Sequence, residues 1–292
     1  MSSQLAGELR CYLNLMTLDS LPQSSTGPSR RPFRESAEAI RAAGFDGVQF
    51  GGRPTRAELD QCRSLGLEFA GSGRVNRPGE ASELAEQFAD DGCECATLHV
   101  GWGLEDDEDA GRLIESILKA CDRWRIPLYV ETHRATIFQD MWRTVGFLRR
   151  FPELKVNGDF SHWYTGQEMV YGGFEMKLAF LAPALDRVRF LHGRIGDPGC
   201  IQVALKPNAV EQPVYVEHFK QLWTACFKSF CRVAQPGDRI YFAPELLGPE
   251  IYYARTCPNS KRVAVEESDR WEQSLILKQM ARDSFQAAVC PS

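Results

Sequence analysis

Four polar residues stand near the ends of sequence segments that otherwise read as buried strands. They are Glu131 in PLYVETH, Asp159 in KVNGDFSHW, His192 in RFLHGRIG and Glu245 in IYFAPELL. Strands of a parallel sheet are buried on both faces and are normally apolar throughout. Each acid, taken alone, is equally well explained as a strand-end residue that is hydrogen-bonded to a neighbouring loop. Three carboxylates and an imidazole at one place, however, are costly to bury unless a positive charge binds them. The set therefore predicts a divalent cation site.

The ligand atoms indicate which cation to expect. Three carboxylates and one imidazole nitrogen suit Mn²⁺, Mg²⁺ or Co²⁺, and Zn²⁺ is less natural because no thiolate takes part. Side chains alternate between the two faces of a strand, so Glu131 shares its face with His133, and His192 shares its face with Arg194. The same alternation puts Glu245 on the face of Tyr241.

Strand and helix patterns alternate along the whole chain, and this alternation positions the four residues. Eight β-then-α units predict one (β/α)₈ barrel spanning residues 1–292, with catalytic residues at the carboxyl ends of the strands. An open doubly wound sheet is less favoured because LNLMTLDS lacks the glycine-rich turn. The predicted strands are Glu8–Leu18, Phe45–Phe50, Leu67–Ala70, Cys95–Val100, Pro127–His133, Lys155–Phe160, Val188–Ile195 and Arg239–Leu246. The predicted helices are Phe33–Ala43, Thr55–Leu65, Ala81–Asp91, Asp109–Trp124, Ile137–Arg150, Phe174–Leu185, Tyr215–Val233 and Asp269–Ala288.

The composition of the chain limits the kinds of partner to expect. The chain has 292 residues and a formal net charge of -5, with 34 Lys+Arg against 39 Asp+Glu. Mild acidity argues against a broad nucleic-acid surface, and no apolar run is long enough to span a membrane. The N-terminus does not resemble a secretory signal, and the ten cysteines are expected to be free thiols. A cytoplasmic protein with a small-molecule partner is expected, and homo-oligomerisation stays open.

The motifs VETHR, GDFSHW, LHGRIG and APELL resemble those of the xylose-isomerase-like superfamily of sugar isomerases and epimerases. The resemblance implies one divalent metal, Mn²⁺ first, and ligands at all four positions. It also implies a substrate contact for Arg194 and for His162, the histidine that follows the aspartate. Many relatives end the second strand in glutamate, whereas this chain has Gln49 in GVQFGG. The departure removes one substrate or acid-base contact.

The implied reaction moves a proton at carbon. The metal would bind the carbonyl and hydroxyl oxygens of a keto or aldo sugar and stabilise an enediolate, while Glu131 and Glu245 exchange the proton. His162 and Arg194 would hold hydroxyls or the oxyanion, although His162 is also explained as a support for Asp159. Further candidate substrate-binding residues are His99, His133, Trp102 and Trp163.

Three other functions stay open. The same metal and carboxylates would serve a dehydratase or lyase acting on a keto-sugar or keto-inositol. A zinc phosphodiesterase resembling the AP endonucleases needs more histidines than the five present. A non-catalytic barrel would not need both glutamates. The long segment Gly196–Val214 after the seventh strand is expected to fold over the mouth and to shape substrate choice.

Overall fold

Eight parallel strands form a closed barrel in strict sequence order, and the predicted (β/α)₈ fold is confirmed. The computed structural model describes residues 7–22, 24–206 and 211–289. The strands are β1 Gly7–Asn14, β2 Gly47–Gln49, β3 Glu68–Val75, β4 Cys95–Val100, β5 Leu128–Glu131, β6 Val156–Gly158, β7 Val188–Gly193 and β8 Asp238–Pro244. Register places Cys11 opposite Phe242, which closes β1 onto β8.

The helices surround the barrel and bury an apolar layer against it. They are α1 Phe33–Ala42, α2 Arg56–Ser64, α3 Pro78–Asp91, α4 Asp107–Trp124, α5 Met141–Arg150, α6 Phe160–Gly166, α7 Phe174–Phe180, α8 Ala182–Leu185, α9 Val214–Val233 and α10 Arg270–Val289. Outward-facing strand residues such as Val130, Leu191 and Phe242 belong to this layer. None of the helices that the structure describes is long and apolar enough to cross a bilayer.

The interior of the barrel is packed rather than hollow. Tyr12, Tyr129, Phe190 and Tyr241 form a separate buried cluster inside the strands. The rings of Phe190 and Tyr241 stack 5.7 Å apart. The ring of Phe190 also lies edge-on to His192, with ring centres 5.6 Å apart. The aromatic layer is therefore the floor of the space that His192 faces.

Several predicted boundaries need correction. The first strand ends at Asn14 instead of Leu18, because the Asn14 side chain accepts from Met16 N and starts a 3₁₀ turn. The sixth strand ends at Gly158, because the carboxylate of Asp159 accepts from Ser161 N and caps α6. Helix α6 was not predicted, and its aromatic sequence FSHWYTG has low helix propensity.

Two further differences lie in the second half of the chain. The helix predicted over Phe174–Leu185 is two helices, α7 and α8, with Leu181 between them and Pro183 within the second. The segment after β8 contains an antiparallel hairpin, β9 Thr256–Pro258 and β10 Ala264–Glu266, that the sequence pattern did not indicate.

The cysteine prediction holds where the structure describes the chain. The nine cysteines in the described ranges are all free, and Cys290 lies outside them. Burial raises the pKa of Cys11 to about 11. No cysteine belongs to either group of metal-ligand-type residues in the described part of the chain.

Candidate active site

The carboxyl ends of β5 to β8 bring together the four side chains that the sequence singled out. Ligand atoms of Glu131, Asp159, His192 and Glu245 all lie within 4.8 Å of one another. His192 Nδ1 lies 3.4 Å from Glu131 Oε2, 3.4 Å from Glu245 Oε2 and 3.9 Å from Asp159 Oδ2. Glu131 and His192 lie at the ends of β5 and β7, and Asp159 and Glu245 follow β6 and β8 directly. Strand geometry alone therefore makes them converge.

The cluster is nearly sealed from water. The exposed fraction of the side chain is 3% for Glu131, 0% for Asp159 and 13% for Glu245. Arg194, which is also buried, supplies one compensating charge. Its Nη2 donates to Asp159 Oδ2 and, at 3.1 Å, to Glu245 Oε2. One guanidinium and one imidazole against three carboxylates still leave the cluster acidic, so it attracts further positive charge.

Burial and charge give the members of the cluster unequal proton affinities. Burial raises the pKa of Glu245, although His192 and Arg194 oppose the shift. Burial acts in the same direction on Glu131, but His99 and His192 outweigh it and hold the pKa of Glu131 well below its usual range. Burial lowers the pKa of His192, but Glu245 and Glu131 prevail and raise it to about 9. Glu245 is therefore the carboxylate that is better suited to accept a proton.

Amide side chains from the strands orient the cluster. His192 Nε2 donates to Gln49 Oε1 at 3.0 Å, which turns Nδ1 toward the carboxylates. Asn14 Nδ2 donates to Gln49 Oε1 at 3.0 Å and to Glu245 Oε1 at 2.8 Å. Asn157 Nδ2 donates to Glu131 Oε2 at 3.1 Å. The glutamine that departs from the family pattern thus holds His192 in place.

The residues of the cluster fit a divalent cation. Glu131 Oε1 is buried and accepts no hydrogen bond from any residue that the structure describes. It faces His99 Nε2 at 3.2 Å, but not in hydrogen-bonding geometry. A buried carboxylate oxygen without a donor is costly, and a cation beside it removes that cost. Carboxylate oxygens with one imidazole nitrogen are the ligands that Mn²⁺ and Mg²⁺ accept.

A second group of ligand-type residues shares one glutamate with this cluster. Ligand atoms of His99, Glu131 and His133 also lie within 4.8 Å of one another. The Arg74 guanidinium, however, donates from Nη2 to His99 Nδ1 at 3.1 Å. A positive charge in direct contact with one of the three residues opposes a second cation there.

Three histidines that were predicted to contact substrate lie in one row beside the cluster, with their rings tilted against one another. The rings of His99 and His133 lie 4.2 Å apart, and those of His133 and His162 lie 4.0 Å apart. His162 Nε2 lies 3.6 Å from Asp159 Oδ2. Burial, together with His162, lowers the pKa of His133 to about 2. Burial also holds the pKa of His162 well below its usual range. Burial lowers the pKa of His99 as well, but the Glu131 carboxylate prevails and raises it, so only His133 and His162 form a neutral surface near pH 7.

The two candidate tryptophans have different surroundings. Trp102 is 56% exposed, and the Arg74 guanidinium lies 4.1 Å from its ring centre, at the edge of the mouth. Trp163 is fully buried in the outer layer, where its indole donates to Phe138 O at 3.0 Å. The placement of Trp163 in a sugar pocket is therefore corrected: its side chain packs in the outer apolar layer, beside the ring of Phe160.

Sequence reasoning missed several residues of the site. Asn157 stands two positions before Asp159 and hence on the same strand face, so the alternation argument could have found it. Ser161 donates from Oγ to Asp159 Oδ1 and accepts from Arg194 Nε, but a serine after a strand carries no signal of its own. Tyr253 enters from the loop after β8, and its hydroxyl lies 3.2 Å from His133 Nε2. Loop residues follow no periodic pattern, so the sequence does not predict where the side chain of Tyr253 lies.

The described part of the segment Gly196–Val214 docks on this loop. Gln202 exchanges hydrogen bonds with the backbone of Leu247, at 3.0 and 2.9 Å, and forms an isolated bridge with Ala254. Positions 207–210 lie outside the described residues. The predicted role of the segment in substrate choice stays a prediction.

Comparison with known proteins gives a likeness in structure alone. No protein-family model matches the chain, and no curated protein matches it either. A xylose isomerase-like TIM barrel protein from Mycobacterium smegmatis, solved in complex with magnesium, is similar at 13% identity and TM-score 0.57, with 94% of this chain and 97% of that chain covered.

Two further solved structures are similar over nearly the whole chain. A sugar phosphate isomerase/epimerase from Parabacteroides distasonis has 11% identity and TM-score 0.56, with 97% of this chain and 100% of that chain covered. The probable 3-DHS dehydratase AsbF from Bacillus anthracis has 12% identity and TM-score 0.54, at the same coverage. Identity this low speaks for the fold and not for the reaction. The chain has the fold of the xylose isomerase-like TIM barrels.

Proposed function

We propose that this protein is an enzyme that acts on a small carbohydrate, as a divalent-metal-dependent sugar isomerase or epimerase. The observation that carries the proposal is the buried cluster at the mouth of the barrel, in which ligand atoms of three carboxylates and one imidazole lie within 4.8 Å of one another. The likeness in fold to a protein named as a sugar phosphate isomerase/epimerase supports the same class.

Glu131, Asp159, His192 and Glu245 would hold the cation, with Mn²⁺ proposed first and Mg²⁺, Co²⁺ or Zn²⁺ as alternatives. When bound, it supplies Lewis acidity that polarises a substrate carbonyl and acidifies the neighbouring carbon. All four residues are fixed by strands, so the ligand positions are set before substrate arrives.

The chain's own carboxylates would move the proton. Glu245 removes it from the carbon next to the carbonyl, because burial raises its pKa and its side chain is the most exposed of the three carboxylates, at 13%. In an isomerisation the proton then held by Glu245 would return to the adjacent carbon. In an epimerisation Glu131 would first take up a proton from water and deliver it to the opposite face of the same carbon, while Glu245 releases its proton to water. Arg194 and His162 orient the substrate oxygens, and the aromatic floor beneath His192 keeps water out.

Elimination is the second candidate reaction. The same proton removal, followed by loss of a hydroxyl in place of reprotonation, would make the protein a dehydratase. The likeness in fold to a probable dehydratase is the observation that favours keeping this alternative.

Deuterium exchange tests the proposal. The Mn²⁺-loaded protein is incubated in D₂O with a panel of ketopentoses and ketohexoses, and NMR follows deuterium uptake at the carbon next to the carbonyl. We expect uptake with at least one sugar, and a fall of roughly 10²–10⁴-fold in Glu245→Gln. Glu83→Gln, which changes an exposed carboxylate on α3, is the matched control. Full activity in Glu245→Gln would refute the assigned base.

A further inference from the structure

Three guanidiniums border the mouth of the barrel, and only one of them is paired with carboxylates. Arg194 bonds to Asp159 and Glu245. Arg74 donates to the backbone oxygens of Gly101 and Ala135, and Arg134 packs against the Tyr253 ring. Among the described residues, neither Arg74 nor Arg134 has a carboxylate at ion-pair distance. Neither guanidinium is therefore neutralised by a direct ion pair with a described residue.

Two of these guanidiniums share one aromatic ring. The centre of the Tyr253 ring lies 4.7 Å from the Arg194 guanidinium carbon and 5.2 Å from that of Arg134. The ring is held by its chain neighbours, because Ala254 bridges to Gln202 and Arg255 forms an ion pair with Glu267. Two positive charges thus act on the space beside a fixed ring.

The hydroxyl of Tyr253 is left with a hydrogen to donate. His133 Nδ1 accepts from Ala135 N at 3.1 Å, so the neutral ring carries its hydrogen on Nε2. That Nε2 lies 3.2 Å from the Tyr253 hydroxyl oxygen and donates to it. The hydroxyl hydrogen therefore remains to be donated, and no described residue accepts it.

Arg194 has an unused donor as well. Its Nη1 is buried and has no hydrogen-bond partner among the described residues, while Nη2 and Nε bond to the cluster and to Ser161. The Arg194 side chain is 1% exposed, so water does not readily satisfy this group. A buried donor without an acceptor indicates a partner that binds from outside the chain.

The charge balance points the same way, and this step rests on the proposed function. A divalent cation and Arg194 together match the charge of Glu131, Asp159 and Glu245. Arg74 and Arg134 then add two guanidiniums that no described carboxylate contacts as an ion pair, while Glu105 acts on Arg74 from a longer distance. A neutral sugar would form no ion pair with these two guanidiniums.

We propose that the substrate carries an anionic oxygen group, a carboxylate or a phosphate, and that Arg134, Arg194 and the Tyr253 hydroxyl bind it. Arg74, whose Nη donors already contact two backbone oxygens and His99, adds attraction at longer range. Guanidinium groups bind both kinds of anion through paired N–H donors.

Calorimetric binding to the Mn²⁺-loaded protein tests this with a matched set of sugars. D-glucose, D-glucuronate and D-glucose 6-phosphate differ only at carbon 6. This position is a neutral hydroxymethyl group in the first, a carboxylate in the second and a phosphate ester in the third. We expect at least one charged sugar to bind about tenfold or more tightly than D-glucose. The tighter of the two charged sugars identifies the anion, and inorganic phosphate serves as a further probe.

Variants separate this anion site from attraction to the metal. Arg134→Gln and Tyr253→Phe should each remove most of the charged sugar's advantage, because the first removes the exposed guanidinium and the second removes only the hydroxyl. Arg134→Lys should restore part of it, and Arg123→Gln, in the last turn of α4, should change nothing.

Equal affinity for all three sugars, an advantage that survives both variants, or no binding of any probe would overturn the inference. Binding is measured without turnover, so these outcomes leave the proposed reaction standing. Loss of the reaction would appear separately, as deuterium exchange that does not depend on Glu245.

Discussion

His192 is positioned by its second ring nitrogen. Its Nε2 donates to Gln49, and Gln49 is in turn held by Asn14 and by Thr97, to which it donates at 2.8 Å. The network decides which nitrogen faces the carboxylates. A glutamate at position 49 would add a fourth negative charge to the cluster, whereas the glutamine provides the acceptor without that charge.

Changing Gln49 should weaken the metal site without removing a ligand. Gln49→Leu loses the acceptor for His192 Nε2, so the imidazole is no longer fixed. We expect Mn²⁺ affinity to fall about 10–100-fold, measured by calorimetric titration. Gln279→Leu on the exposed face of α10 is the control and should bind Mn²⁺ like the wild type. Unchanged affinity in Gln49→Leu would show that the ring needs no such support.

A second histidine, which is not a member of the cluster, should make stability depend on pH. His218 is largely buried, stacks on Phe174 and bonds to the Tyr164 hydroxyl at 2.7 Å, and burial lowers its pKa. The unfolded chain therefore takes up a proton near pH 6.5 that the folded protein does not. Its contribution to stability is complete above that pH and is lost as the pH falls below it.

Urea unfolding at pH 5 and pH 7.5 measures this effect. His218→Asn keeps an acceptor for Tyr164 but does not titrate, so its free energy of unfolding should fall less between the two pH values than that of the wild type. An equal fall in both proteins would mean that other groups set the pH dependence.

Residues of the site were predictable where strand alternation applies. Glu131, Asp159, His192 and Glu245 stand out because each is polar in an apolar strand at the same depth. Tyr253 and Arg134 lie in loops, where no period links sequence to direction. Their place at the mouth depends on contacts with distant segments, such as the bridge between Ala254 and Gln202.

At the scale of elements, the order of strands and helices was predictable from the periodicity of the sequence. The residues at which several of these elements end were not. Strand ends at the mouth are decided by single side chains, such as Asn14 and Asp159, that bond to the next backbone amides. The functional residues lie at the positions where these local hydrogen bonds end a strand earlier than its sequence pattern predicts. Helix α6 was missed for the same reason, because the strand pattern was followed through Phe160 although Asp159 starts a helix.

The close packing of β7 against β8 depends on a glycine beside the site. A Cβ atom on Gly193 would lie 2.3 Å from the Phe242 ring, whereas one on Gly146 of α5 would meet nothing within 4 Å. Gly193→Ala should lower the free energy of unfolding by about 1–3 kcal/mol through overpacking. Gly146→Ala should raise it by about 0.5–1 kcal/mol, because alanine favours the helix.

Denaturant unfolding of both variants checks the pair. The opposite signs make the comparison sharp, since both changes add the same methyl group. A Gly193→Ala variant as stable as the wild type would show that Phe242 moves aside freely.

At the scale of the whole molecule, the barrel has an aromatic floor below the cluster and, above it, two arginines that form no ion pair with a described carboxylate. Tyr12, Tyr129, Phe190 and Tyr241 fill the lower interior. Arg74 and Arg134 stand at the rim on the side of the histidine row. The eight-strand barrel was predictable from the alternation, but this separation of charges was not, because it depends on loops from different units.

Metal removal should destabilise the protein as a unit, because the four proposed ligands come from four strands. With Mn²⁺ at a hundredfold excess over Kd, the melting temperature should rise by about 5 °C relative to protein treated with chelator. Scanning calorimetry measures the shift. Asp159→Asn, which removes one proposed ligand, should lose most of it, and an equal shift in that variant would place the metal elsewhere.

Elemental analysis of the purified protein tests the central claim most directly, namely that Glu131, Asp159, His192 and Glu245 hold one divalent cation. We predict about one equivalent of Mn²⁺, Co²⁺ or Mg²⁺ per wild-type chain and far less in Asp159→Asn. Two or three equivalents of zinc would contradict the single site. No metal after purification, with no uptake on titration with these ions, would contradict the account altogether.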